Sequence, residues 1–198
     1  MLIYKVESVD YLDDREQFLF YYEKCSPFRK NKIDRLVSLK DKKLSLGVDV
    51  LLKRLLIENG IYSQNEIPPV KISERGKPLF DKTENLFFSL SHSENMVMCA
   101  ISDSLIGCDI EKITFSREEC LSISKQFFNE HEYNCINTLK DEASQIAFYK
   151  IWTLKEAYAK CYDLSLSSIL IKDITTEDNI MKTEIENNFV YSIVNKED

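Results

Sequence analysis

The two halves of this chain repeat the same order of predicted elements around a shared four-residue sequence. Ser-Leu-Lys-Asp stands at 38–41, and Thr-Leu-Lys-Asp stands one hundred residues later at 138–141. Each precedes a segment with apolar residues at helical spacing, which predicts long helices over 41–59 and 142–161. In each half we expect a strand and two short helices before the long helix, and strands after it. Four matching residues are weak evidence alone, and it is the repeated order of elements that indicates an internal duplication.

The duplication predicts an α+β fold of two pseudo-symmetric lobes, each a small, mainly antiparallel sheet packed on a long helix. We place the N-terminal lobe at 1–103 and the C-terminal lobe at 104–198. A site built from residues of both lobes would lie in the cleft between them. The shorter predicted elements are strands at 86–91, 96–101, 105–113, 167–174 and 189–194 and helices at 117–127 and 130–139. Ser-Asp-Ser at 102–104 indicates a hairpin, and the polar stretch 175–188 predicts a reduced C-terminal sheet.

The composition is that of an ordinary soluble globular protein, with 44% hydrophobic and 30% charged residues. Six cysteines without any Cys-x-x-Cys spacing indicate reduced thiols in a cytosolic protein, with a zinc site as second choice. The N-terminus lacks a basic segment followed by a long apolar run, and no apolar stretch approaches the ~20 residues that span a bilayer. We therefore expect a cytoplasmic protein without a signal peptide or a membrane partner.

Charge is unevenly distributed along the chain. The net formal charge is −7, which disfavours general nucleic-acid binding. Residues 29–43 alone carry +5, so the remainder carries −12. Such a basic run is often only a solvated helix face. On an acidic protein it also suits a phosphorylated ligand or an acidic protein partner.

Four charged residues in the second half form two pairs. Asp109 and Glu111 are two apart on a predicted strand, so their carboxylates leave the same face. Glu156 and Lys160 are four apart on a predicted helix and share one of its faces. Taken alone, a pair such as Asp109 and Glu111 usually lies on a solvated sheet face. A pair such as Glu156 and Lys160 is usually a surface ion pair. If strand and helix pack together, three carboxylates and a lysine converge, which is the outline of a site for a divalent metal and phosphate.

The helix that carries Glu156 indicates a buried setting. Its apolar arc consists of Phe148, Ile151, Trp152, Leu154, Tyr158 and Ala159. Lys155 falls near the middle of that arc. A lysine inside a buried stripe costs several kcal/mol unless an anion meets it or its ammonium group reaches water. We therefore expect an anion beside Lys155.

The blocks that contain these residues resemble the signature of the surfactin-type 4′-phosphopantetheinyl transferases. They are Gly-x-Asp-x-Glu at 107–111 and Trp-x-x-Lys-Glu-Ala-x-x-Lys at 152–160. Three further blocks agree, namely Gly-Lys-Pro at 76–78, Phe-Ser-Leu-Ser-His-Ser at 88–93 and Phe-Phe-Asn-Glu-His-Glu-Tyr at 127–133. The combination is far more specific than any one block, and the two-lobed fold of that family fits the duplication.

The resemblance implies an enzyme that transfers the 4′-phosphopantetheine arm of coenzyme A to a serine hydroxyl of an apo acyl or peptidyl carrier protein, with release of 3′,5′-ADP. The reaction would depend on Mg²⁺, which relieves the repulsion between carboxylates and neutralises phosphate charge. We expect a monomer whose partners are coenzyme A and the carrier protein. Carriers of fatty-acid, polyketide and nonribosomal peptide synthesis all remain open.

The resemblance also implies roles for individual residues. Asp109, Glu111 and Glu156 would be the metal ligands. Glu156 would also be the base for the incoming serine, directly or through water, and Lys160 would stabilise charge on the transferring phosphate. The implied contacts with coenzyme A are Arg29, Lys32, Lys43, Lys77, Ser91, His92, Asp109, Lys155 and Lys160. Glu132 and Trp152 are expected around the metal site without binding the ion directly.

Two other functions are compatible with parts of the sequence. A phosphodiesterase or nuclease with a carboxylate-bound metal would need a basic substrate groove, and the charge of −12 outside 29–43 argues against one. A non-catalytic protein that binds coenzyme A or a carrier as a scaffold would not need all four of the charged residues described above. Cys108 stands where the family usually has Ile or Val, and since its side chain should point away from Asp109 and Glu111, we expect consequences for packing only.

Overall fold

The computed structural model describes residues 1–63, 66–81, 83, 85–174 and 179–196. The elements of the first half are β1 (Leu2–Ser8), a 3-10 turn (Asp10–Asp13), α1 (Arg15–Glu23), α2 (Pro27–Arg35), α3 (Leu39–Glu58), β2 (Val70–Ile72), β3 (Pro78–Phe80), β4 (Phe87–Ser93) and β5 (Met96–Ser102). Those of the second half are β6 (Ile106–Lys112), α4 (Arg117–Phe127), α5 (Glu130–Thr138), α6 (Asp141–Tyr162), α7 (Leu166–Ile169), β7 (Asn179–Glu186) and β8 (Phe189–Lys196).

Polar side chains determine where several helices begin. Ser38 accepts a hydrogen bond from a backbone N–H in the first turn of α3. Ser116 with Glu119 forms a capping box at α4, and Asn129 with Glu132 forms another at α5. The predicted long helices are confirmed as α3 and α6, with ends that differ from the prediction by at most two residues.

Two three-stranded antiparallel sheets have the same internal order. The first is β1–β5–β4 and the second is β6–β8–β7. In each half the first strand therefore pairs with the last strand, which pairs in turn with the strand before it. α3 packs on β5, and α6 packs on β6 and β8. Small antiparallel sheets packed with helices confirm the mixed fold, and the internal duplication and its boundary at residue 103 stay predictions.

The predicted hairpin at 102–104 is wrong. β5 is paired on both of its edges, with β1 on one side and β4 on the other, so it has no edge left for β6. β6 instead pairs with β8 in the other sheet. The hairpin joins β4 to β5, and it turns at Glu94, whose φ of 56° lies in the left-handed region.

The predicted strand at 167–174 is also wrong. α7 occupies the first part of this segment, and a turn follows it. Ile169 and Ile174 are buried against Ala159 of α6. The ammonium group of Lys155 lies 2.6 Å from the carbonyl oxygen of Lys172 and 3.4 Å from that of Ile169. A compact turn presents both carbonyls to this buried cation.

The C-terminal sheet is not reduced, because a third strand forms within the polar stretch that was expected to lack one. β7 pairs with β8 along its whole length. It is the edge strand of its sheet, and an edge strand tolerates charged side chains such as Lys182 and Glu184. The hydroxyl groups of Thr183 and Ser192 hydrogen bond across the pair at 2.8 Å.

Within the described parts of the chain, we find no helix with the length and apolarity that a membrane span requires. All six cysteines are free thiols, and Cys135 is the exposed one.

Candidate active site

The site lies where the two sheets meet, at a seam between β4 and β6. Ser89, Ser91 and Ser93 alternate along β4, so their hydroxyl groups leave the same face. Ser91 Oγ donates to Asp109 Oδ1 at 2.7 Å, and Ser93 Oγ donates to Glu111 Oε2 at 2.8 Å. Ser89 and Ser93 also accept from backbone N–H groups of β6. Three hydroxyl groups thus hold the strand that carries both carboxylates.

Sequence reasoning did not assign roles to Ser89 and Ser93. The signal was present, since serine at every second position of a strand, opposite a face that begins with Phe88 and Leu90, indicates a polar seam rather than a solvated face. What it could not supply was the identity of the neighbouring strand. β4 and β6 belong to different sheets, and only the tertiary structure places them side by side.

Gly107 allows α6 to approach β6 closely. A Cβ atom at this position would lie 1.9 Å from the carbonyl oxygen of Ala157 and 2.4 Å from the backbone nitrogen of Cys161. Both are backbone atoms that cannot rotate away, so any side chain here would push the helix off the strand. The close contact brings Glu156 and Lys160 over the face that carries Asp109.

Three carboxylates and one ammonium group converge at this point. Asp109, Glu111 and Glu156 each offer one oxygen, and these oxygens lie within 4.8 Å of one another. Lys160 Nζ is 2.6 Å from Asp109 Oδ1, 3.9 Å from Glu156 Oε2 and 3.0 Å from Ser91 Oγ. The predicted pairs on strand and helix therefore form one cluster.

The protonation equilibria of the cluster reflect crowded negative charge. Burial raises the pKa of Glu156 to about 7, and the neighbouring Asp109 and Glu111 act in the same direction. Burial and then Asp109 also raise the pKa of Glu111. Burial disfavours the charged form of Lys160, but attraction by the carboxylates of Asp109 and Glu156 outweighs it and raises the pKa of this lysine. A second cation in the cluster would relieve the repulsion.

The residues present fit a divalent cation. Asp109 is only 2% exposed, and its Oδ2 atom is buried without a hydrogen-bond partner among the described residues. Such an atom is costly unless something positive meets it. All three donors are carboxylate oxygens, which Mg²⁺ prefers. Their spread of 4.8 Å lets one ion reach all three after a small inward movement of the side chains.

The comparison with known proteins agrees with this site. Residues 105–190 match the sequence model of the 4′-phosphopantetheinyl transferase superfamily. The matched segment contains the whole acidic cluster and Lys160. The segment that holds the candidate site is thus similar to that superfamily.

Several curated transferases are similar over a longer part of the chain. The chain is 34% identical over 147 residues to 4′-phosphopantetheinyl transferase gsp of Aneurinibacillus migulanus, covering 74% of this chain and 60% of that protein. It is 28% identical over 148 residues to 4′-phosphopantetheinyl transferase Sfp of Bacillus subtilis, covering 75% and 63%. It is 28% identical over 167 residues to the human L-aminoadipate-semialdehyde dehydrogenase-phosphopantetheinyl transferase, covering 79% and 54%. The chain thus spans somewhat over half the length of these transferases.

His92 and Lys32 lie near the acidic cluster. His92 is exposed, and its pKa is lowered first by partial desolvation and then by the nearby cations Lys160 and Lys32. Asp41 at the start of α3 acts on His92 in the opposite direction. Lys32 is therefore near enough to His92 to act on its charge, and the orientation of the basic segment toward the site stays a prediction.

Lys77 lines a cavity next to α6. This cavity of about 280 Å³ is bordered by Lys77, Glu156 and Lys160 among others. Lys77 Nζ donates to the carbonyl oxygens of Cys161 at 3.0 Å and Ile106 at 3.2 Å, which ties the end of α6 to β6. The predicted place of Lys77 near the site agrees with this geometry, although two of its donors already have internal partners.

Arg29 does not support the predicted contact with coenzyme A. Its side chain is only 6% exposed and forms an ion pair with Asp49 at 3.1 Å. It also donates to Ser45 of α3 at 3.5 Å. A buried guanidinium needs such a partner, and the two contacts anchor α2 on α3.

Lys43 occupies a different region from the one predicted. It forms an ion pair with Asp13. It also lines a cavity of about 450 Å³ together with Lys40, Glu94 and Lys112. Lys77 does not border this cavity, so Lys43 and Lys77 lie in different cavities.

Lys155 has the anion that its position required, but that anion is internal. Its ammonium group lies 2.9 Å from Glu132, and both side chains are almost fully buried. It also donates to the carbonyl oxygens of Ile169 and Lys172 and lies 5.5 Å from the ring centroid of Phe128. With no exposed surface and all three donors occupied, Lys155 cannot contact coenzyme A, which corrects that prediction. Glu132 likewise serves Lys155 and not the acidic cluster.

Trp152 lies behind Glu156, as predicted. Its indole N–H donates to the Glu156 carboxylate, which favours the ionised form. The ring stacks on Phe148 at a centroid distance of 5.9 Å and meets Phe128 at 6.4 Å. This aromatic packing restricts the orientation from which the hydrogen bond is made.

Proposed function

We propose that this protein is a 4′-phosphopantetheinyl transferase, which moves the phosphopantetheine arm of coenzyme A to a serine hydroxyl of an apo acyl or peptidyl carrier protein and releases 3′,5′-ADP. The observation that carries the proposal is the convergence of Asp109, Glu111 and Glu156 with Lys160 in a segment similar to that superfamily. Asp109 Oδ2 is buried without a hydrogen-bond partner among the described residues, which suits a site that a cation completes.

The reaction needs positioned charge more than covalent participation by the protein. The serine oxygen attacks the β-phosphorus of coenzyme A, and the bond from that phosphorus to the 3′,5′-ADP oxygen breaks. Asp109, Glu111 and Glu156 would hold Mg²⁺, which neutralises negative charge on the pyrophosphate when it is bound.

Glu156 and Lys160 have the direct roles in this proposal. Glu156 accepts the proton of the serine hydroxyl, directly or through water. Lys160 is held by Asp109 with its charged form favoured, and it stabilises negative charge on the transferring phosphate. Ser91 keeps Asp109 in place by its hydrogen bond.

The decisive experiment is mass spectrometry of purified apo-carrier proteins incubated with the protein, coenzyme A and Mg²⁺. The expected result is a mass increase equal to one phosphopantetheine on the carrier serine, with 3′,5′-ADP in the supernatant. The same carrier with that serine changed to alanine should not be modified. Absence of modification across carriers of fatty-acid, polyketide and nonribosomal peptide synthesis would contradict the proposal.

The nucleotide end should be held by Lys32 and His92, since His92 is near enough to both Lys160 and Lys32 for their charges to lower its pKa after partial desolvation. Changing either residue to alanine should raise the Michaelis constant for coenzyme A about 10- to 100-fold, the range expected when one charge-assisted hydrogen bond is lost. The constant for dephospho-coenzyme A, which lacks the 3′-phosphate, should change far less.

A matched control for this prediction exists on the same helix. Lys30 lies two residues before Lys32 on α2, but its ammonium group pairs with Glu23 at 2.9 Å. Lys30→Ala should leave both Michaelis constants unchanged. Equal effects of Lys32→Ala on the two ligands would show that this residue does not read the 3′-phosphate.

A further inference from the structure

The connection between α2 and α3 exposes apolar side chains without cover. Val37 is 99% exposed and Leu39 is 63% exposed. We call these two residues the α2–α3 tip. Val37 is the most exposed large apolar residue among those described, and only Val37 and Ile171 are more exposed than Leu39. A convex apolar tip cannot enclose a small ligand, and it suits a concave protein surface that closes over it.

The neighbours of the tip are mainly cationic. Arg35 precedes it, and Lys40 and Lys42 follow it at the start of α3. Among the described residues neither Arg35 nor Lys42 has an ion-pair partner, so both charges are available to a partner protein. The chain as a whole carries −7, and an acidic partner is therefore repelled from most of the surface and attracted here.

The tip also adjoins the candidate active site. Lys40 Nζ lies 2.8 Å from Glu94 Oε2, and Glu94 directly follows Ser93, the residue that holds Glu111. Asp41, in the first turn of α3, is close enough to His92 to influence its pKa. A protein seated on the tip is thereby placed at the rim of the site and not on a remote face.

We propose that the α2–α3 tip is the docking contact for the acceptor, an acidic protein. An apolar depression of that partner covers Val37 and Leu39, and its carboxylates meet Arg35, Lys40 and Lys42. This inference rests on the proposed function and specifies how the protein-borne serine is brought to the site. The apolar contact supplies affinity, and the surrounding cations supply orientation and a faster encounter.

The test uses Val37→Asp and Leu39→Asp, which replace an apolar contact by a charge of the wrong sign. Each should raise the Michaelis constant for an apo-carrier about 10- to 100-fold, the range expected when one buried aliphatic contact is lost. The Michaelis constant for coenzyme A should stay within about twofold, because the tip has no part in nucleotide binding. Both positions are exposed, so the variants should fold normally.

The control is Ile57→Asp, an exposed apolar residue on the same helix. It lies about 27 Å from Leu39 along α3, given a rise of 1.5 Å per residue. This variant should behave as the parent protein. A second experiment measures the Michaelis constant for the carrier protein at low and at high ionic strength, with coenzyme A saturating. The constant should rise with salt, and Lys42→Ala should weaken that dependence.

Several results would overturn the docking proposal. They are an unchanged carrier constant in both tip variants, an equal loss in Ile57→Asp, or an equal effect on the constant for coenzyme A. Tip-dependent binding of the parent protein to anionic lipid vesicles, with no change in carrier kinetics, would assign the tip to a membrane surface instead. A parent protein that modifies no carrier would defeat the proposed function itself, whereas a fully active parent with unaffected tip variants defeats only the docking proposal.

Discussion

Replacing Glu156 by glutamine should reduce transfer to a carrier protein by about 10²- to 10⁴-fold, the range over which a positioned general base acts. Glutamine keeps the size of the side chain and can still receive the hydrogen bond from Trp152, but it cannot accept the serine proton at neutral pH. It also removes one of the three carboxylates proposed to hold Mg²⁺. The measurement is the initial rate of carrier modification by mass spectrometry, with circular dichroism to confirm the fold.

The same variant should change how pH acts on the metal-free protein. The folded-state pKa of Glu156 is raised to about 7 from an ordinary 4.5, so its contribution to stability is present below about pH 4.5 and is lost as pH rises through 7. Protons should also compete with Mg²⁺, whose apparent affinity should fall as pH decreases through this window. In Glu156→Gln, both the stability of the metal-free protein and the apparent affinity for Mg²⁺ should depend less on pH. Thermal unfolding with and without Mg²⁺ measures both.

The matched control is Glu142→Gln, an exposed glutamate in the first turn of the same helix. It should retain the transfer rate, the response to Mg²⁺ and the pH dependence of the parent. Near-normal transfer by Glu156→Gln would remove both roles assigned to Glu156. An unchanged rate together with lost Mg²⁺ stabilisation would keep only the ligand role.

Changing Lys155 to methionine should destabilise the fold by about 3–5 kcal/mol, because Glu132 would be left buried without its cation. That is a large part of the 5–15 kcal/mol that stabilises a typical domain. The two carbonyl oxygens that accept from Lys155 would also lose their donor. The measurement is the free energy of unfolding by urea at neutral pH.

Whether the unpaired charge of Glu132 causes this loss of stability can be tested by removing that charge and by changing the pH. Burial already raises the pKa of Glu132, so the cost in Lys155→Met should shrink as pH falls and this carboxyl group becomes protonated. The double variant Lys155→Met with Glu132→Gln should recover part of the lost stability, since glutamine can still accept the capping bond from the Asn129 N–H. Equal destabilisation of the single and double variants would mean that cavity formation dominates and not the unpaired charge.

Much of the candidate site could be predicted from local periodicity. The period of two along a strand places Asp109 and Glu111 on one face, and the period of 3.6 along a helix places Glu156 beside Lys160. These relations depend only on near neighbours in the chain. For the same reason the helices α3 to α6 were predicted with nearly correct ends, since spacing, caps and stop signals are all local.

The partners of buried charges could not be predicted in this way. Lys155 required an anion, but the sequence did not distinguish a ligand phosphate from Glu132, which lies on another helix. Arg29 was expected to contact a ligand and instead binds Asp49. In both cases the choice depends on which groups the fold brings within about 3 Å, and several carboxylates along the chain would satisfy the same cation.

Strand pairing, too, could not be predicted from the local sequence. The sequence by itself determined that β5 and β6 are strands, because their residues alternate or run apolar, but it did not determine their neighbours. Pairing is decided by which edges remain free after β1, β4 and β8 have taken their places. The seam of serines between β4 and β6, the turn that meets Lys155, and the approach of α6 to Gly107 all follow from long-range packing. Local chemistry thus specified the residues of the site, and only the tertiary structure decided which of them meet.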